Sequence, residues 1–191
     1  MKSNHDTKQK LIDVTRRMID INGIASVNMR DLGKEMNLSR SAVYRHFKNK
    51  DDLLAAIVAE NFEILINSMS KLIEEISDSR KLICAILYKY YDFGVCNREQ
   101  YQLMFQKQWD KEQFSDLYIL ASKPFKMVEK RFEKIQKLEC DMQKSPKELT
   151  AMVYAFIHGL VELNYSGHLE AEKGLDNPAS LINSFVDMIF A

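Results

Sequence analysis

The chain is predicted to be all-α, with about nine helices: a three-helix domain at the N-terminus and a larger helical body behind it. Three observations point there. Only 6 Gly and 3 Pro punctuate 191 residues, so few positions break a helix. Alternating β-branched residues are nearly absent, while apolar residues recur at the helical period. The stretch from Asn28 to Leu54 reads as two short helices across a tight turn, the spacing of a helix-turn-helix.

The elements follow in order. A first helix is expected from about Thr7 to Ile21, with Leu11, Val14, Thr15, Met18 and Ile21 on one side and Asn22-Gly23 as its stop. A short helix from Met29 to Met36 has Asn28 as its N-cap, and Asp31 stands where a capping box would place its acid. Asn37 suits a left-handed turn residue, and Ser39 caps the next helix. Asp51-Asp52 then opens a long helix carrying Leu53, Ile57, Phe62, Leu65, Met69 and Leu72, two acids at its start complementing the helix dipole. Later helices are expected at about 80–96, 98–109, 113–140, 146–168 and 178–190. Ser145-Pro146-Lys147-Glu148 and Asn177-Pro178 give the last two their start signals.

Charge is balanced overall, 27 basic against 27 acidic residues. Residues 1–50 nevertheless hold eleven Lys/Arg and five Asp/Glu, leaving the remainder acidic. A basic module on an acidic body suits a polyanion at one end only. Cys84, Cys96 and Cys140 form an odd set without metal-like spacing, which argues against a disulfide framework and for a cytoplasmic protein. Signal-peptide character is missing from Met-Lys-Ser-Asn-His-Asp, and no membrane partner is expected.

The helix that Ser39 opens carries the chemistry. At about 100° per residue, Arg40, Ser41, Tyr44, Arg45 and Lys48 share one side, while Val43 and Phe47 form an apolar edge that docks on the preceding helices. An α-helix fits the major groove of B-DNA, where Arg pairs with guanine and Ser meets donors or acceptors. Tyr hydroxyls and Lys suit phosphate oxygens. Ser39 and Asn28 sit at helix starts, whose free N–H groups also favour phosphate. The bland alternative is a solvated basic face.

Gly23, Val27-Asn28, Arg30-Asp31-Leu32, Leu38-Ser39, Val43-Tyr44-Arg45-His46-Phe47 and Lys50-Asp51-Asp52-Leu53-Leu54 resemble the DNA-binding domain of the TetR family of transcriptional regulators. Tyr44, His46, Phe47 and Lys50 match the family's Y-x-H-F-x-x-K signature, and the resemblance covers roughly residues 7–55. It implies that Tyr44 and Lys50 touch phosphate, that His46 lies at the DNA backbone, and that Arg40, Ser41 and Arg45 face bases or nearby phosphates. Asn28 stands where the family usually has Thr, Asn37 where it has a turn Gly, and Ser41 where it has a small Gly. The Ser41 departure makes base contacts harder to transfer.

The resemblance also divides the chain into 1–50, for DNA, and 51–191, for ligand binding and dimerisation. The run Met152 to Leu163, with His158-Gly159, resembles a C-terminal subtype having a His-Gly pair on its eighth helix, and Tyr101 to Phe105 resembles that subtype's sixth helix. Tyr101, Phe105, Trp109, Tyr154 and His158 are the candidate ligand residues, large amphipathic groups that line apolar sites but also fill ordinary cores. Apolar residues on more than one face of the last two helices, with Gly159 permitting close approach, suggest a four-helix dimer interface.

The expected function is therefore a homodimeric repressor released from a palindromic operator in double-stranded DNA by a small-molecule effector. The alternative is a ligand-independent or partner-controlled DNA-binding protein whose body is only a dimerisation scaffold. An enzyme is not expected: the cysteines lack a nucleophile signature, and four scattered histidines offer no i,i+4 metal pair. No cofactor and no metal are expected.

Overall fold

A computed structural model describes residues 4–138 and 144–191. Cys140 and the expected end of the 113–140 helix lie outside the described residues. Among those described, ten α-helices and two short 3-10 turns form, and no strand. The helices are α1 (Asn4–Asn22), α2 (Met29–Glu35), α3 (Arg40–Tyr44), α4 (Lys50–Glu75), α5 (Ser79–Cys96), α6 (Arg98–Phe105), α7 (Ser115–Ala121), α8 (Lys123–Leu138), α9 (Pro146–Tyr165) and α10 (Pro178–Ile189). The all-α expectation holds.

The helix expected from residue 113 is two, α7 and α8, separated at Ser122. Pro124 is the cause. Its ring has no N–H to donate and fits the first turn of a helix but not an interior. α6 also stops at Phe105, short of Trp109. α9 and α10 start as their signals require: Ser145 and Glu148 complete a reciprocal capping box, and Asn177 accepts from the Ser180 N–H at 2.9 Å.

The helices group into two compact units. The first comprises the chain up to Phe62 together with Asn97–Leu120, and the second comprises Glu63–Cys96 with Ala121–Ala191. The two units part inside α4, the 26-residue helix that starts beside the expected join after residue 50.

In the first unit α6 packs on α1, and Leu11, Ile19, Leu32, Val43, Leu54 and Tyr101 lie in the core. Polar bonds cross that unit as well. Gln100, itself buried, donates to Asp20 at 3.0 Å, and Arg16 and Gln9 both reach Glu60, at 2.7 and 2.9 Å. In the second unit α9 lies against α5 and α8, and α10 against α5, around Met69, Ile83, Phe132, Ile157, Val161 and Val186. By length and hydropathy alone α4 could cross a membrane, yet it buries Ile57, Val58, Phe62, Leu65 and Met69 against protein.

Candidate nucleic-acid interface and cavity

The turn between α2 and α3 sets the interface. Asn28 caps α2 by accepting the Arg30 N–H at 2.9 Å. The expected capping box does not form, because Asp31 turns to Lys34 at 3.2 Å instead of back to the cap. After α2, Asn37 takes φ 53, the left-handed conformation that Asn tolerates better than most side chains. The Leu38 N–H then reaches the Gly33 carbonyl at 2.8 Å and the Asn37 N–H reaches Lys34 at 3.1 Å, the paired bonds of a Schellman motif. Ser39 closes the turn by accepting the Ala42 N–H at 3.2 Å.

Gly33 is the residue that the sequence reading passed over. A Cβ there would stand 3.2 Å from the Leu38 carbonyl oxygen and 3.4 Å from Cγ2 of Val43. The missing side chain lets α3 seat Val43 against α2. Only its place one turn before Asn37 hinted at this.

α3 is pinned from beneath by Val43 and Phe47, 0% and 4% exposed. Arg40, Ser41, Tyr44 and Arg45 are exposed on the other side. The Arg40 guanidinium lies 5.4 Å from the centre of the Tyr44 ring, and the Ser39 and Ser41 hydroxyls share a 3.0 Å hydrogen bond. These contacts hold four donors and acceptors on one surface. His46 is half-buried just beyond α3.

Two expected groups sit differently. Lys48 is not on α3, which ends at Tyr44; the Lys48 N–H donates to Asp52 at 3.0 Å, in the link to α4. Lys50 is the first residue of α4, its ammonium donating to the Ile24 carbonyl at 3.1 Å. Burial lowers its pKa, against the pull of Asp51 and with a smaller push from Lys107. One of its three N–H groups thus braces the unit, leaving two for an outside acceptor.

The five aromatic and histidine candidates for ligand contact fall into two groups. Tyr101, Phe105 and Trp109 belong to the first unit. Tyr101 is 1% exposed, with Phe105 at 4.8 Å and Phe62 beyond it. Trp109 donates its indole N–H to the Leu103 carbonyl at 3.3 Å. Tyr154 and His158 belong to the second unit. Nε2 of His158 is 2.9 Å from the Tyr90 hydroxyl, and its ring lies 4.2 Å from that of Tyr154. Burial lowers the pKa of His158 to about 4, so its ring is neutral at pH 7. Tyr154 borders a small cavity with Tyr90, Phe125, Thr150 and Ile157. Tyr90 and Phe125 are the members of this cluster that the reading did not select as ligand residues; spacing alone does not separate them from other aromatics.

Comparisons with known proteins bear on the N-terminal helices and on the fold. Residues 11–57 match the family described as bacterial regulatory proteins, tetR family. The HTH-type nicotine-responsive transcriptional repressor HdnoR of Paenarthrobacter nicotinovorans is 34% identical over 80 residues, 42% of this chain and 41% of that protein. The chain thus spans less than half the length of that relative. Among solved structures, a protein of unknown function from Rhodococcus sp. RHA1 matches with TM-score 0.83 and 19% identity, over 99% of this chain and 94% of the other. A transcriptional regulator of the TetR/AcrR family from Thermobifida fusca matches with TM-score 0.73 and 16% identity, over 93% and 97%. At such identities these two likenesses speak for the fold.

Proposed function

This chain belongs to the TetR family of DNA-binding transcriptional regulators, and from that premise we propose that it is a homodimeric repressor released from a palindromic operator by a small molecule. One observation carries the DNA reading: α3 turns Arg40, Ser41, Tyr44 and Arg45 outward while Val43 and Phe47 anchor its back. Arg40, Ser41 and Arg45 meet bases or adjacent phosphates. Tyr44, His46, Lys50 and the caps Asn28 and Ser39 hold the backbone, so they fix register without reading sequence.

Residues 1–50 act as the DNA-binding domain, and 51–191 as the ligand-binding and dimerisation domain. The dimer rests on α9 and α10. Met152 and Met188 are 41% and 72% exposed, and a Cβ at Gly159 would meet nothing within 4 Å. Beside them, Phe156 and Phe185 stack at 4.0 Å. A second copy would cover this apolar face by a two-fold interface. The nicotine-responsive repressor among its relatives supports both repression and a small-molecule effector. Such an effector acts by preferring the form in which the two recognition helices are wrongly spaced, and lowers operator affinity by that preference and no more. The protein works in the cytoplasm, without a catalytic step.

Operator selection from random DNA, followed by gel shift and sizing of the free protein, tests this. Lys50→Ala should weaken binding to all sequences and reduce the slope of log affinity against log salt by about 0.9, whereas Tyr44→Ala, which removes an uncharged donor, should weaken it with the slope unchanged. Arg45→Ala should cost about 1–3 kcal/mol on the selected site and relax its preference. A monomer indifferent to palindromic DNA at low salt would overturn the proposal.

A further inference from the structure

The second unit holds a half-open void of about 30 Å³ among α4, α5, α8 and α9. Met69, Leu87, Tyr90, Phe125, Val153 and Ile157 are among its walls, and no charged side chain lines it among the described residues. Most of the polar groups nearby are already engaged. The Thr150 hydroxyl donates to the Pro146 carbonyl at 2.7 Å, and the Tyr90 hydroxyl and His158 Nε2 hold each other at 2.9 Å. Tyr154 differs. Its ring touches Phe125 and His158 while the residue remains 40% exposed, and among the described residues its hydroxyl has no hydrogen-bond partner.

We propose that this void is the contracted form of an effector pocket selective for an uncharged, largely hydrocarbon molecule with one hydrogen-bonding end, which meets the Tyr154 hydroxyl. The inference rests on the ligand response proposed above and narrows it to a chemical class. The void as it stands has room for a water or two, far below the several hundred Å³ of a typical ligand site. Entry therefore requires side chains to move, and the wall has suitable ones. Met69 turns about three bonds and adapts to irregular shapes, and Phe125 is only half-buried.

The walls also select by charge. A carboxylate would leave water for a lining without a cation, a loss that apolar contact does not recover. An ammonium would need open aromatic faces. Here the Tyr154 ring is engaged by His158 and by the edge of Phe125, and the Tyr90 ring meets His158 edge-on at 5.3 Å. Apart from Phe125 and Thr150, the remaining walls are aliphatic. An uncharged head with one donor or acceptor loses least, since the phenol can replace one of its hydrogen bonds to water.

Displacement of N-phenyl-1-naphthylamine, a neutral fluorescent probe, from the full chain at pH 7.5 tests this with three competitors of equal chain length: 1-decanol, decanoate and decyltrimethylammonium. Decanol should compete at concentrations at least about tenfold below either ion. Tyr154→Phe should weaken decanol about 3–10-fold, its competition corrected for the probe's own affinity in that variant. Val153→Phe should fill the void and abolish both. If that variant does not fold, Tyr154→Phe decides alone.

Decanoate or the ammonium binding as well as decanol, an unaltered decanol affinity in Tyr154→Phe, or no decanol binding by displacement or thermal shift would each overturn the proposal. Operator release is followed in parallel. An ion that binds and frees the operator sinks the uncharged-ligand inference and leaves the ligand-released repressor standing. Decanol that binds at Tyr154 without affecting the operator does the reverse.

Discussion

Two aromatic clusters, similar in composition, differ in what their polar atoms do. In the first unit, Tyr101, Phe105 and Trp109 meet a buried core, with the Trp109 indole N–H on Leu103 and the Tyr118 hydroxyl on the Trp109 carbonyl at 2.9 Å. In the second unit, Tyr90 and Tyr154 line a void with His158 packed against both, and among the described residues the Tyr154 hydroxyl has no hydrogen-bond partner. Aromatic residues with their polar tips satisfied by backbone behave as scaffold. Those with a polar tip left over beside empty volume can act as a receptor.

Three experiments press on that contrast. The largest effect is expected at Tyr101, 1% exposed. Tyr101→Ala should lower stability by about 3–5 kcal/mol in denaturant unfolding, as for other large-to-small aromatic changes in a core. A loss below about 1 kcal/mol would mean that the first cluster is not a scaffold.

Next comes a pH effect from the second cluster. His158 titrates at about 4 when folded, against 6.5 when unfolded. Above pH 6.5 both states are neutral, and this group has no effect. Between 6.5 and 4 the unfolded chain takes the proton first, so stability falls as pH falls, by about 3 kcal/mol at pH 4. Unfolding at pH 7 and pH 4.5 should show a drop that His158→Gln largely removes. An equal drop in both proteins would place the histidine ring in water.

The smallest effect is at Trp109. Trp109→Phe keeps most of the packing but deletes the hydrogen bond to Leu103, a loss of about 1 kcal/mol. In the ligand-displacement assay the same variant should behave as the parent protein. Weakened probe binding would move the receptor role back to the first cluster.

The sequence made the local chemistry legible. Asn28, Asn37, Ser39, Ser145 and Asn177 each act through backbone groups within a few residues, so their types alone announce a cap or a turn. The recognition face was legible for a similar reason: Val43 must point one way if Arg40 and Tyr44 point the other. What escaped depends on partners distant in the chain or on volumes. Gly33 matters through Val43, and Lys50 through the Ile24 carbonyl 26 residues away. Periodicity tells which side of a helix is apolar, but not whether the side chains facing it fill the space. Hence Trp109 could be named a ligand candidate alongside Tyr154. The break at Pro124 was visible in the chain but lost within a run of otherwise helical residues.

The brevity of α3 limits how much of an address one copy can read. Five residues rise about 7.5 Å, roughly two base-pair steps of B-DNA. A fully specified base pair settles two binary choices, whereas picking one site among about 10⁶ competitors takes about twenty. The reading surface of a single chain therefore falls well short of a unique genomic destination. The shortfall shrinks when a second copy reads the mirrored half and when the shape of the intervening DNA adds its own discrimination.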